Sequence, residues 1–241
     1  MSGGQARLPA VLIACTLLAA AGCSTTATDP RDPFEGYNRA MQSFNDFADD
    51  AVLKPVSRGY KAVTPEPLRN MVRNFFANIE DVPIGLNNML QGKFLDGWTD
   101  WMRFVFNTTF GVFGINDVAS EMGLEKHNED FGQTFGRWGV GDGPYFVMPL
   151  LGPKTVRDTT GWVFDFSVDP LSEIRPIAAR NTAYTVRFIG WRTDLLGAST
   201  MFEEAALDRY VFLRDAYLQR RRSLVYDGNP PRPPRPQELQ E

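Results

Sequence analysis

A base, a nucleophile or a soft metal ligand would have to come from very few residues here. The 241-residue chain holds one histidine, His127, and two cysteines, Cys15 and Cys23. A Ser-His-Asp triad would need His127, yet no G-x-S-x-G turn exists to display the serine. His127 stands in the charged run EKHNED and reads as a surface residue. Zinc needs clustered Cys or His, so no metal site is expected. Gly85 to Lys93 resembles a phosphate loop in outline only. Six residues separate Gly85 from Gly92-Lys93 where four are required, and Phe94 replaces the Ser or Thr. Adjacent acids such as Asp49-Asp50 and Glu203-Glu204 do not face each other on a helix. No enzyme, no cofactor and no nucleotide-driven work is expected.

Cys23 offers chemistry of another kind. An apolar run from Leu8 to Ala21 follows the lone cation Arg7 and ends in Ala20-Ala21-Gly22-Cys23. The run is too short to span a bilayer, which takes roughly 20 apolar residues, and suits a cleaved export segment. Small residues just before a cysteine are what lipoprotein processing requires, so Cys23 is expected to become the lipid anchor of the mature chain. Several acyl chains hold a protein on a bilayer where one does so only marginally. Ser24 follows, not the Asp of an inner-membrane retention signal, which directs the chain to the outer membrane of a Gram-negative envelope. With Cys15 lost and Cys23 lipidated, no disulfide is available and stability must come from packing.

The formal net charge is −4, and loss of Arg7 makes it one unit more negative. A mildly acidic chain without a basic stripe excludes nucleic acid as partner and attraction to anionic lipid as the mode of membrane binding. The expected organisation is an export segment at 1–22, a lipidated tether at 23–31, one helical domain at 32–226 and a disordered proline-rich tail at 227–241.

Helical signals dominate. Asp32-Pro33-Phe34-Glu35 reads as a capped start, Phe34, Tyr37, Met41, Phe44 and Ala48 make one face, and Lys54-Pro55 is expected to end the helix. Thr64-Pro65 starts a second, and Pro83 opens a short third segment closed by Gly92. Between Phe94 and Ile115, Trp98, Trp101, Phe104, Phe106, Phe110 and Phe113 surround the chain, as burial in a core or contact with lipid demands. Asp100 and Arg103 keep that segment from spanning a membrane. Residues 136–153, GRWGVGDGPYFVMPLLGP, carry too many glycines and prolines for a regular helix and read as a long irregular loop with an apolar lining. Helical pattern resumes from Thr155 to Val168 and, weakly, from Ile177 to Leu196. Thr200 and Glu203 read as the capping box of a last helix that ends in a solvated Arg220-Arg221-Arg222. The fold class is mainly α.

Blocks of unusual composition then agree in order with a known family: DPFEGYNRAMQSFN at 32–45, the stretch 75–120 from FFANIEDVPIGLNNML to GINDVAS, FGQTFGRWGVGDGPYFVMPLLGP at 131–153, and DPLSEI at 169–174. In these the chain resembles the MlaA (VacJ) family of outer-membrane lipoproteins. The resemblance implies a ring-like helical bundle embedded in one leaflet of the outer membrane. It implies a lipid-anchored protein on the periplasmic side, beside a trimeric porin, that removes mislocalised phospholipid from the outer leaflet. The lipid passes through an amphipathic channel to a periplasmic lipid-carrier protein. Gly139, Val140, Gly141, Gly143, Pro144, Tyr145, Phe146, Val147, Met148 and Pro149 resemble the loop beside that channel, and Phe44 and Asn45 its bordering helix. Trp98, Trp101, Phe104, Phe106, Phe110 and Phe113 would meet lipid, and Arg137, Asp142 and Arg157 head groups. A structural lipoprotein that binds porin or the envelope without moving lipid is the competing expectation.

Overall fold

The computed structural model describes residues 29–197 and 208–231. The export segment, Cys23, Thr200, Glu203 and most of the tail lie outside the described residues. The order is α1 (Glu35–Ala48), a π-helical turn (Asp49–Leu53), α2 (Lys54–Val63), α3 (Glu66–Leu90), α4 (Phe94–Thr109) and α5 (Val118–Glu121). Then follow α6 (Phe131–Arg137), a hairpin of β1 (Tyr145–Met148) and β2 (Gly152–Thr155), α7 (Val156–Val168), a 3₁₀ turn (Pro170–Glu173), α8 (Ile177–Asp194) and α9 (Arg209–Val225). The mainly α expectation holds, and no described helix is long and apolar enough to cross a membrane.

Packing closes these elements into a circuit. From α2 contacts pass to α8, α3, α6, α9, β2 and β1, and β1 returns to α1, which runs through the π turn into α2. A ring of contacts, not a layered sandwich, frames the interior.

Three helix boundaries differ from the sequence expectation. Asp32 does not cap α1; Phe34 holds that position without a side-chain bond. Asp32 is fully buried and accepts hydrogen bonds from Asn38 Nδ2 at 2.7 Å, Arg214 at 3.3 Å and the Tyr210 hydroxyl. A buried carboxylate left unpaired costs more than a missing cap, so the inward partners win. Lys54-Pro55 does not end the first helix. The π turn widens the backbone ahead of Pro55, which sits in the first turn of α2, where a missing N–H is tolerated. Pro83 does not open a third segment but lies inside the 25-residue α3. An interior proline costs ~3 kcal/mol, which the packing of α3 on α4 offsets. That packing is close: a Cβ on Gly97 would stand 2.7 Å from the Gly85 carbonyl oxygen.

The polarity of the bundle is inverted. Among the described residues eighteen buried side chains are polar or charged and nine are hydrophobic, so charge and amide pairing must carry what apolar packing carries in a water-soluble core. On α3 and α4 the buried residues include Asn78, Asp81, Asn87, Asn88, Asp100, Arg103 and Asn107, against Phe76 and Ile84 as the large apolar ones. Arg103 Nη2 donates to Asp117 at 2.9 Å, Asn88 Nδ2 to Asp100 at 2.8 Å, and Lys126 pairs with Asp81. Meanwhile Trp98 is 56%, Phe110 70% and Phe113 73% exposed. A bundle immersed in hydrocarbon has this arrangement, because polar groups there must be satisfied inside the protein.

The expected irregular loop is in part a hairpin. Tyr145 pairs with Thr155 and Met148 with Gly152. Tyr145 and Val147 are buried against Tyr210, and Tyr217 stands 6.1 Å from Tyr145 between ring centres.

Candidate functional site

An open cavity of 330 Å³ lies between α1, the π turn, the hairpin turn, α8 and α9. Its polar lining is Gln42, Asn45 and Asp46 from α1, Asp49 from the π turn and Arg192 from α8. Its apolar lining is Leu53 from the π turn, Leu150 and Leu151 from the hairpin turn, Phe188, Trp191 and Leu195 from α8, and Leu213 from α9. Arg192 makes a two-pronged bond to Asp49, both contacts 2.7 Å. The cavity offers polar and apolar contacts side by side.

The hairpin is positioned by α1. Asn38 Nδ2 donates to the Tyr145 carbonyl at 3.2 Å, and Asn38 Oδ1 accepts from the Val147 N–H at 2.8 Å. Asn45 does the same one step along: its Nδ2 donates to the Met148 carbonyl at 2.9 Å and its Oδ1 accepts from the Leu150 N–H at 2.7 Å. Each amide stands in for a neighbouring strand along the edge of β1. Leu150 has φ +63, a left-handed conformation costing a leucine roughly 1–2 kcal/mol. The Asn45 bond holds it there, and so fixes the lip of the cavity.

The sequence-assigned loop is divided among three places. Gly139, Val140 and Gly141 line a second cleft of 320 Å³ with Asp142, Arg157, Arg222 and Tyr226. Tyr145 and Val147 are core residues rather than lining, because alternate residues of a strand face opposite ways. Phe146 and Met148 are half-buried, and Pro149 leads into the turn beside the central cavity. Gly143 has φ +68 and would place a Cβ 3.1 Å from Val156; it turns the chain between half-buried Pro144 and the cleft. Asn45 borders the central cavity, whereas Phe44 is 48% exposed and lies outside its lining. Of the expected lipid-facing aromatics, Trp98, Phe110 and Phe113 are exposed. Trp101, Phe104 and Phe106 are half-buried, and Trp101 Nε1 donates to the Val82 carbonyl at 3.2 Å.

Charged residues depart further from expectation. Arg157 is buried, paired with Asp142 and with Asp158 at 3.0 Å, so it is not an exposed head-group contact. Arg221 is not a solvated helix end. It donates to Asp130 at 2.6 and 2.8 Å and to Asp158 at 2.9 and 3.0 Å, and Tyr217 adds a 2.7 Å bond to Asp158. Those donors keep the Asp158 and Asp130 carboxyls below the usual range although burial pushes them up. His127 is half-buried, its Nδ1 3.1 Å from Asp100; it braces α4 rather than sitting free on the surface. Trp191, Phe188 and Arg192 were not foreseen, because α8 has a weak apolar stripe. Asn38 was missed because a polar residue on a helix carries no signal that it will pair with a strand.

The sequence profile described as MlaA lipoprotein matches residues 30–224. A Shigella flexneri protein, the intermembrane phospholipid transport system lipoprotein MlaA, is 34% identical over 230 residues, 92% of this chain and 90% of its own length. Its namesake in Haemophilus influenzae is 29% identical over 228 residues, again 92% and 90%. A solved structure concerned with maintenance of bacterial outer membrane lipid asymmetry aligns with a TM-score of 0.72 and 33% identity, over 80% of this chain and 98% of that one. Sequence, fold and the order of elements agree: the chain belongs to the MlaA lipoprotein family.

Proposed function

We propose that this protein moves phospholipid out of the outer leaflet of the outer membrane, through the central cavity, without making or breaking a bond. The mixed polar and apolar lining of the cavity carries the reading. A phospholipid leaving a bilayer exposes roughly 30 methylenes to water at ~0.8 kcal/mol each, and a barrier of about 24 kcal/mol holds it for about a day. Pulling its head group through hydrocarbon is costly as well. A passage lined by Asn45, Asp46 and Asp49 together with Leu151, Phe188 and Trp191 would lower both costs at once.

The inverted polarity of the bundle supports immersion in one leaflet, with Trp98, Phe110 and Phe113 against acyl chains. The names of the relatives support phospholipid as cargo and the outer membrane as location. Lipid anchoring through Cys23 after removal of 1–22, the periplasmic side, a trimeric porin beside the ring and a periplasmic carrier as acceptor complete the proposal. The Cys23 anchor rests on the Ala20-Ala21-Gly22-Cys23 signal, the other three on the family resemblance.

The test separates the two openings. Leu151→Trp overfills the central cavity from a position that is 43% exposed. Gly141→Trp fills the second cleft, where a Cβ meets nothing within 4 Å. Outer-leaflet phospholipid, labelled from outside the cell, is expected to rise to the level of a deletion strain with Leu151→Trp. Normal asymmetry with Leu151→Trp and loss with Gly141→Trp would move the passage to the glycine-lined cleft. Normal asymmetry with both would favour a structural lipoprotein.

A further inference from the structure

Trp191 lines two cavities. Besides the central one, it walls a pocket of 180 Å³ between α2, α3 and α8. The interior is apolar, with Val72 and Phe76 from α3 and Val186 from α8, while Arg69, Arg73 and Asp194 stand round it. These three charges are loosely engaged. Arg73 Nη2 donates to Asn70 Oδ1 at 3.0 Å, while its Nη1 reaches Asp194 only at 3.9 Å, and both Arg73 and Asp194 are about half exposed. Arg69 Nη1 donates to the carbonyls of Lys61 and Thr64 at 3.2 and 2.5 Å, and no carboxylate lies within 4.0 Å of it among the described residues. By contrast Arg187, also in the wall, is spoken for by Glu80 at 2.7 Å and Asp169 at 2.8 Å. The Tyr60 hydroxyl is buried in the same pocket with no hydrogen-bond partner among the described residues.

Two available cations, one available anion and a buried hydroxyl, set round an apolar interior, match one kind of ligand. We infer that this pocket is a second lipid subsite for a zwitterionic glycerophospholipid: the phosphate on Arg69 and Arg73, the ammonium on Asp194, and the start of a chain along Phe76 and Trp191. Guanidinium is suited to phosphate because its N–H groups match phosphate oxygens in pairs. Asp194 selects against an uncharged or anionic head by meeting it with an unpaired carboxylate. Tyr60 donates to an ester or phosphate oxygen. This subsite rests on the phospholipid-transport reading, and Trp191 is a wall it shares with the central cavity.

The test uses the full-length protein in nanodiscs of equal phosphatidylethanolamine and phosphatidylglycerol. Native mass spectrometry counts retained lipid of each class beyond the covalent anchor. The protein is expected to retain phosphatidylethanolamine in excess. Asp194→Asn is expected to lower that preference about tenfold, the worth of one charge-assisted bond, and Asp194→Glu to restore much of it. Arg69→Gln with Arg73→Gln is expected to lower retention of both classes. Thermal melts identify any variant that fails to fold, and the Asp194 pair, on an exposed position, decides alone in that case. An unchanged ratio in Asp194→Asn overturns the proposal. So does displacement of bound lipid by water-soluble glycerophosphoethanolamine at matched concentration, which would make the soluble head group the ligand. Leu151→Trp in cells reports on the central passage separately: a normal outer leaflet there defeats the transport reading while the head-group ratio still stands or falls by itself.

Discussion

Asn38 and Asn45 lie seven residues apart on α1 and present their amides to the same edge of β1, each donating to one backbone carbonyl and accepting from one backbone N–H. Two helical turns and three residues of extended chain cover the same length, about 10 Å, so one helix face can track β1 and the turn that follows it. The edge that would otherwise solicit another chain is thereby closed.

Asn38→Asp removes the donor to Tyr145 and sets a carboxylate beside Asp32. A loss of about 3 kcal/mol is expected, since a buried acceptor is orphaned and like charges meet. Urea titration of the detergent-solubilised protein measures it. A change below 1 kcal/mol would mean the amide bridge is ornamental.

Asn45→Ala acts on the lip of the cavity instead. Leu150 loses the bond that holds its left-handed backbone, so hydrogen exchange at the hairpin turn should quicken about tenfold, from a loss of roughly 1–2 kcal/mol. The melting temperature should change far less than for Asn38→Asp. Adding Leu150→Gly removes the strain and is expected to recover part of the protection.

Burial pushes the Asp165 carboxyl up to about 7, although the Phe131 N–H donates to it at 3.0 Å. The folded state therefore keeps a proton that the unfolded chain releases near pH 4. Between those values the folded state binds more protons, so this group's contribution to stability falls as pH rises. Asp165→Asn keeps the acceptor and removes the cost. It is expected to melt higher than the parent at pH 8, by on the order of 2 kcal/mol of added stability, and to coincide with it near pH 4. Equal melting at pH 8 would show the carboxylate is better solvated than its burial implies.

Arg221→Met strips Asp130 of its cation and leaves Asp158 with Arg157 and Tyr217 alone, so a loss of about 3 kcal/mol is expected, the low end for breaking a buried pair. Its neighbour Arg220 is exposed, and Arg220→Ala should stay within about 0.5 kcal/mol. Chemical denaturation of the two variants side by side distinguishes a structural arginine from a solvated one.

The helical class was legible because stripes at steps of three and four persist through α1, α3 and α7. The boundaries at Asp32, Pro55 and Pro83 were not, since capping and proline rules describe an isolated helix while here buried partners decide. The hairpin was missed although Tyr145 to Met148 is an aromatic and β-branched run bounded by Pro144 and Pro149; glycine density masked a period-two signal only four residues long. Of the residues assigned by resemblance, Asn45 alone is in the lining of the central cavity; the loop assignment from Gly139 to Pro149 stops just short of Leu150 and Leu151. The lining at Phe188 and Trp191 comes from a helix whose sequence pattern is weak, and only tertiary closure brings it into place.

An interior of ion pairs behind an oily exterior reverses the usual dependence of a fold on its surroundings. In water the outer faces would drive copies together, and penetrating solvent would weaken the charge pairing within. In fluid hydrocarbon the same pairs strengthen, because nothing competes for them. On the proposed immersion in one leaflet, the membrane is a constituent of this protein's native state rather than merely its address.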